Sequence, residues 1–64
     1  MNNHQALAIT ALRIAKDVLG DELVRARHHY KNFPSERRAD IIAKHEARDA
    51  EIEAAIEWVK AQNE

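Results

Sequence analysis

After Pro34 the chain carries apolar positions in two interleaved rows. Steps of four and three from Arg38 reach Ile42, His45, Asp49, Ile52, Ile56 and Val59. That is an apolar heptad seam with a polar stretch through its middle. A second row, Ala39, Ala43, Ala47, Ala50, Ala54, Trp58 and Ala61, runs beside it. At about 100° per residue the two rows lie on different faces, so the spacing predicts one helix with two packing partners. A single hairpin supplies only one of them. The pattern therefore predicts an all-α protein that associates with itself.

The first half of the chain is helical in period as well. Its apolar positions are Leu7, Ala8, Ala11, Leu12, Ile14, Ala15, Val18, Leu19, Leu23, Ala26 and Tyr30, a broad inward stripe that leaves Ile9 and Val24 outside. Asn3 is a suitable N-cap. Asn32-Phe33-Pro34-Ser35 is the one clear loop: proline lacks a backbone N–H and disfavours a helical Phe33, and Ser35 or Asn32 can cap the second helix. The predicted order is a helix over about 4–31, a turn over about 32–34 and a helix over about 35–62. Together they form a single antiparallel two-helix hairpin that dimerises into a four-helix bundle. Leu12, Leu19 and Leu23 with Ile42, Ile52, Ile56 and Val59 are its expected core and dimer residues. Gly20-Asp21 leaves a second reading open, in which the first helix breaks and three helices cover 4–19, 22–31 and 35–62.

If the hairpin turns near Phe33, Gly20, Asp21 and Glu22 lie level with Lys44, His45 and Glu46, and Asp17 with Asp49. Both helices lose their large apolar residues at that height, so the hairpin is expected to have apolar ends and a polar waist.

Length sharpens the case for self-association. Sixty-four residues make one domain. A lone core below about 70–80 residues rarely supplies more than roughly 3–5 kcal/mol, and small chains compensate with disulfides, metals or oligomerisation. Cysteine is absent, which removes disulfides and thiolate zinc sites. No apolar run approaches the roughly 20 residues of a membrane span, and Met1-Asn2-Asn3-His4 has no signal-peptide pattern. A cytoplasmic protein without a membrane partner is expected.

Charge is unevenly placed. Residues 25–38 hold Arg25, Arg27, Lys31, Arg37 and Arg38 against Glu36 alone, while residues 39–64 hold three basic side chains against seven acidic ones. Such a split can steer a charged partner or complement a second copy. The basic segment also carries His28, His29 and Tyr30, and cations with an interleaved aromatic suit phosphate contact and base stacking. The plain alternative is a solvated loop end whose cations complement the helix dipole.

Candidate chemistry is sparse. His45 and Asp49, four apart on one helix face, can touch, and with Asp17 or Asp21 they could hold a metal. His45-Glu46-Ala47-Arg48-Asp49 echoes half of a zinc-protease helix without its second histidine. A polar layer that fixes helix register is the competing reading. The hydroxyls, Ser35 and Thr10, stand near no histidine–carboxylate pair in this arrangement. No glycine-rich phosphate loop is present, so neither catalysis nor a cofactor is expected.

The triplet Ala39-Asp40-Ile41 stands just after the turn, where the Rop (repressor of primer) family has a similar one. The plan of the chain resembles the Rop hairpin in length, in its two long helices and in its short turn. The resemblance implies a dimeric four-helix bundle. That family's RNA-binding face uses an exposed Phe among polar and basic residues along the middle of the first helix. Here Arg13 and Lys16 stand there without a Phe, so RNA binding does not carry over with the architecture.

The expected function is that of a small non-enzymatic adaptor, regulator or inhibitor. Its partners are itself, as a homodimer, and another protein met through its charged surface or through Ile9, Val24 and Trp58. Nucleic-acid binding by the basic turn is the alternative. A metal at the His45/Asp49 waist comes third.

Overall fold

Two features of the sequence start the first helix. In the computed structural model, which describes residues 2–62, the Asn2 side chain accepts from the Gln5 N–H at 2.7 Å. The Gln5 side chain accepts from the Asn2 N–H at 3.2 Å, closing a reciprocal capping box. Asn2 is therefore the cap, one residue earlier than Asn3, because Gln5 stands three positions after it. Helix α1 then runs Asn3–Asn32. It passes through Gly20 without a break, so the three-helix alternative does not apply. A mid-helix glycine costs about 1 kcal/mol relative to alanine, and the packing of half-buried Leu19 and buried Leu23 on either side offsets it.

Pro34 ends α1 by forcing Phe33 out of helical geometry, with φ −138° and ψ 69°. The Phe33 N–H still reaches the His29 carbonyl at 2.8 Å. Helix α2 spans Glu36–Lys60, capped by the Ser35 hydroxyl, which accepts from the Arg38 N–H at 3.1 Å. Glu36 in its first turn suits the positive end of the helix dipole. Arg38 fastens the corner. One guanidinium nitrogen donates to the Phe33 carbonyl at 2.9 Å, and the group lies 5.7 Å from the Phe33 ring centroid.

The two helices pack along each other into an all-helical rod of 49 × 14 × 10 Å. Neither is long and apolar enough to cross a membrane. The inner row of α2 is Arg38, Ile42, His45, Asp49, Ile52, Ile56 and Val59, each buried or half-buried. It meets a matching row on α1: Gln5, Ile9, Leu12, Lys16, Leu19, Leu23 and Ala26. Both rows advance in steps of four and three, the spacing of a coiled-coil seam.

The first helix also differs from its sequence reading in which apolar positions turn inward. Ile9, expected outside the stripe, is only 4 % exposed and is among the most buried residues. Leu7, Ala11, Ile14, Ala15, Val18 and Tyr30, expected inside, are exposed. The reason is length. The row 9-12-16-19-23-26 stays inward along the whole contact, whereas 7-11-14-18 gives way to Asp21, Arg25 and His28.

The open end is closed by Gln5. Its amide donates to the carbonyls of Val59 at 2.9 Å and Gln62 at 2.6 Å. One side chain thus joins the start of α1 to the last carbonyls of α2, of which Val59 also accepts from the Gln62 N–H at 3.1 Å.

Candidate interaction surface

At mid-height Lys16 occupies an inward position of α1 and turns its ammonium onto α2. The distances are 2.9 and 3.0 Å to the two Asp49 carboxylate oxygens and 3.6 Å to Glu53. The hydrogen bond to Asp49 holds the Lys16 pKa above its ordinary value. The negative charges of Asp49 and Glu53 add to the effect and partial desolvation opposes it. The polar waist is therefore a bridge between the helices. Asp49 pairs with Lys16 rather than with His45, which makes no hydrogen bond or ion pair among the described residues. Among those residues no three histidine, aspartate or glutamate side chains come together as a metal site, and Asp21 stands exposed.

The basic segment is partly neutralised within the chain. Arg25 pairs with Glu22 at 2.6 Å and Arg27 with Glu46 at 3.2 Å. Arg38 is held by the corner, and His28 shares hydrogen bonds with Asn32. Lys31 and Arg37 are exposed and carry no ion pair among the described residues. Tyr30 and Phe33 are exposed beside them. A shallow recess of about 140 Å³ opens between Ala26, His29, Arg38 and Ile41. That is well below the roughly 300–1,000 Å³ of small-molecule sites.

The apolar residues divide unevenly. Among the described residues, Ile9, Leu23 and Ile56 are the buried apolar core. Leu12, Leu19, Ile42, Ile52 and Val59 line the same seam half-buried. Eight large apolar or aromatic side chains face out: Leu7, Ile14, Val18, Val24, Tyr30, Phe33, Ile41 and Trp58. Trp58 is 66 % exposed, so it does not pack over its own hairpin. It continues the exposed row of Ala47, Ala50 and Ala54 along the back of α2. Of the surface residues named from sequence, Val24 and Trp58 are available to a partner and Ile9 is not.

Lys16 and Gln5 escaped the sequence reading because polar side chains do not register in an apolar stripe. Extending the row Leu23, Leu19 backward in steps of three and four finds both. Comparison of the chain with known protein families, curated proteins and solved structures finds no match.

Proposed function

We propose that this protein is a small non-enzymatic interaction protein. It acts as a homodimer of helical hairpins and binds another macromolecule as an adaptor, regulator or inhibitor. One observation carries the reading: among the described residues, the hairpin exposes eight large apolar side chains and buries three. Scattered exposed apolar residues need no explanation, but the row Leu7, Ile14 and Val18 at helical spacing on the back of α1, and the alanine row ending at Trp58 on the back of α2, have the form of packing faces. Trp58, set beside small Ala54 and Ala61 on an acidic helix, has the character of an aromatic anchor for a protein partner.

Affinity purification of the tagged chain from its host tests this. The expected result is a homodimer carrying a protein whose retention is lost on Trp58→Ala while the dimer persists. A monomer that retains no macromolecule would overturn it.

A second reading is favoured by Lys31 and Arg37, two exposed cations without ion-pair partners among the described residues, beside exposed Tyr30 and Phe33. In that reading the turn binds RNA. Gel-shift titration would then show single-stranded RNA bound with a steep salt dependence, and replacing both cations with Gln would remove it.

A further inference from the structure

The hairpin exposes 5051 Å². A monomeric globular protein of 7.3 kDa exposes about 4,200 Å². The excess is close to the roughly 800 Å² that each partner contributes to a stable interface of standard size. Part of any such excess belongs to the rod shape, so area alone does not choose a face. The residue pattern does. On α1 the exposed side chains Leu7, Ala11, Ile14 and Val18 advance in steps of four, three and four, a second coiled-coil seam on the side of the helix away from α2. On α2 the comparable row is mostly alanine and offers less apolar area.

We propose that a second copy of this chain covers the Leu7–Val18 face, with the two α1 helices antiparallel. The proposal rests on the homodimer reading above and names its interface. Charge sets the orientation. Beyond Val18 the same row continues to Asp21, and before Leu7 it begins at His4. In the antiparallel arrangement Leu7 meets Val18 of the second copy and Ala11 meets Ile14. His4 then faces Asp21 of the second copy, an imidazole against a carboxylate. In parallel register each Asp21 would face another Asp21, and like charges directly opposed across a helix pair are unfavourable. Ala11 at the centre lets the two backbones approach closely. The pairing leaves the basic turn free for other partners because it lies beyond Asp21, and Trp58 because it stands on the back of α2, away from α1.

Sedimentation equilibrium at micromolar to 100 µM concentration tests the face. The wild type is expected to be a dimer, and Ile14→Glu with Val18→Glu is expected to raise the dimer Kd by about a hundredfold or more. Both positions are exposed, so the variant should keep the helical circular dichroism of the hairpin. The absence of native cysteine allows an independent test of orientation. Mixing Leu7→Cys with Val18→Cys under mild oxidation should give the mixed disulfide in preference to either homodisulfide. Predominant homodisulfides would overturn the antiparallel arrangement. A dimer that survives the Ile14/Val18 change but is lost in Ala50→Glu with Ala54→Glu would overturn this face while leaving self-association standing. A wild type that stays monomeric throughout would overturn both.

Discussion

The two sides of α1 carry similar apolar content and meet opposite fates. Ile9, Leu12, Leu19 and Leu23 turn inward, while Leu7, Ile14 and Val18 turn out. Hydrophobicity at single positions does not separate them. What separates them is persistence: the inner row matches α2 from Gln5 to Ala26, and the outer row stops at Val18. A helix pair gains by burying a continuous seam, so a long row broken by one lysine prevails over a shorter unbroken one. Lys16 is tolerated there because Asp49 stands opposite at 2.9 Å.

Truncation of equivalent side chains probes that contrast most strongly. Ile56→Ala, at 3 % exposure on the inner seam, is expected to cost about 2–5 kcal/mol by urea denaturation. Ile14→Ala, at 60 % exposure, is expected to cost no more than about 0.5 kcal/mol in the dilute monomer. Its cost should grow with protein concentration where the second copy covers it. Equal costs at every concentration would erase the distinction between the two rows.

At the open end of the inner row, Gln5→Ala removes the side-chain half of the capping box, the bond from the Asn2 N–H, and the two links to α2 carbonyls. A loss of about 1–3 kcal/mol is expected, readable as a lower urea midpoint. Gly20→Ala should act in the other direction. A Cβ there meets nothing within 4 Å, so the variant is expected to gain about 0.5–1 kcal/mol, with a raised thermal midpoint and unchanged helix content.

The smallest effect belongs to Lys16. Its pKa is raised in the folded state, so its contribution is complete below the unfolded value near 10.4. The contribution disappears as pH rises through the higher folded value. The difference in thermal midpoint between the wild type and Lys16→Met should therefore be constant from neutral pH to about pH 9 and change only above about pH 10.4. A difference that already changes around neutral pH would mean that Lys16 does not act through this pair.

Most of the fold was legible. Helix periodicity, Pro34 and Ser35 define a two-helix hairpin, and the inner row of α2 follows from its spacing alone. The inner row of α1 was harder to read because apolar residues occupy both of its sides before residue 19, and only the stretch from Leu23 to Ala26 shows which row continues. The waist was visible as a polar interruption in both helices. Its pairing was not, because Lys16 and Asp17 are adjacent and a rotation of one residue decides which carboxylate or ammonium faces Asp49. The exposed apolar row of α1 was visible only as surplus: more apolar positions than one seam of a hairpin buries.

Gln5 also has a bearing on how the chain comes together in time. Its bonds to Val59 and Gln62 join residues 54 and 57 positions apart. They are among the longest-range links in the molecule, and a hairpin that zips outward from Phe33–Ser35 reaches them last. Earlier contacts shorten the remaining loop before each later one forms, so the entropy of closure is met in small steps. In reverse, release of the Gln5 side chain unties the start of α1 from the last carbonyls of α2. Fraying at the two ends should then be coupled, so Gln5→Ala is expected to speed amide exchange in the first turn of α1 and the last turn of α2 together, as a single latch removed.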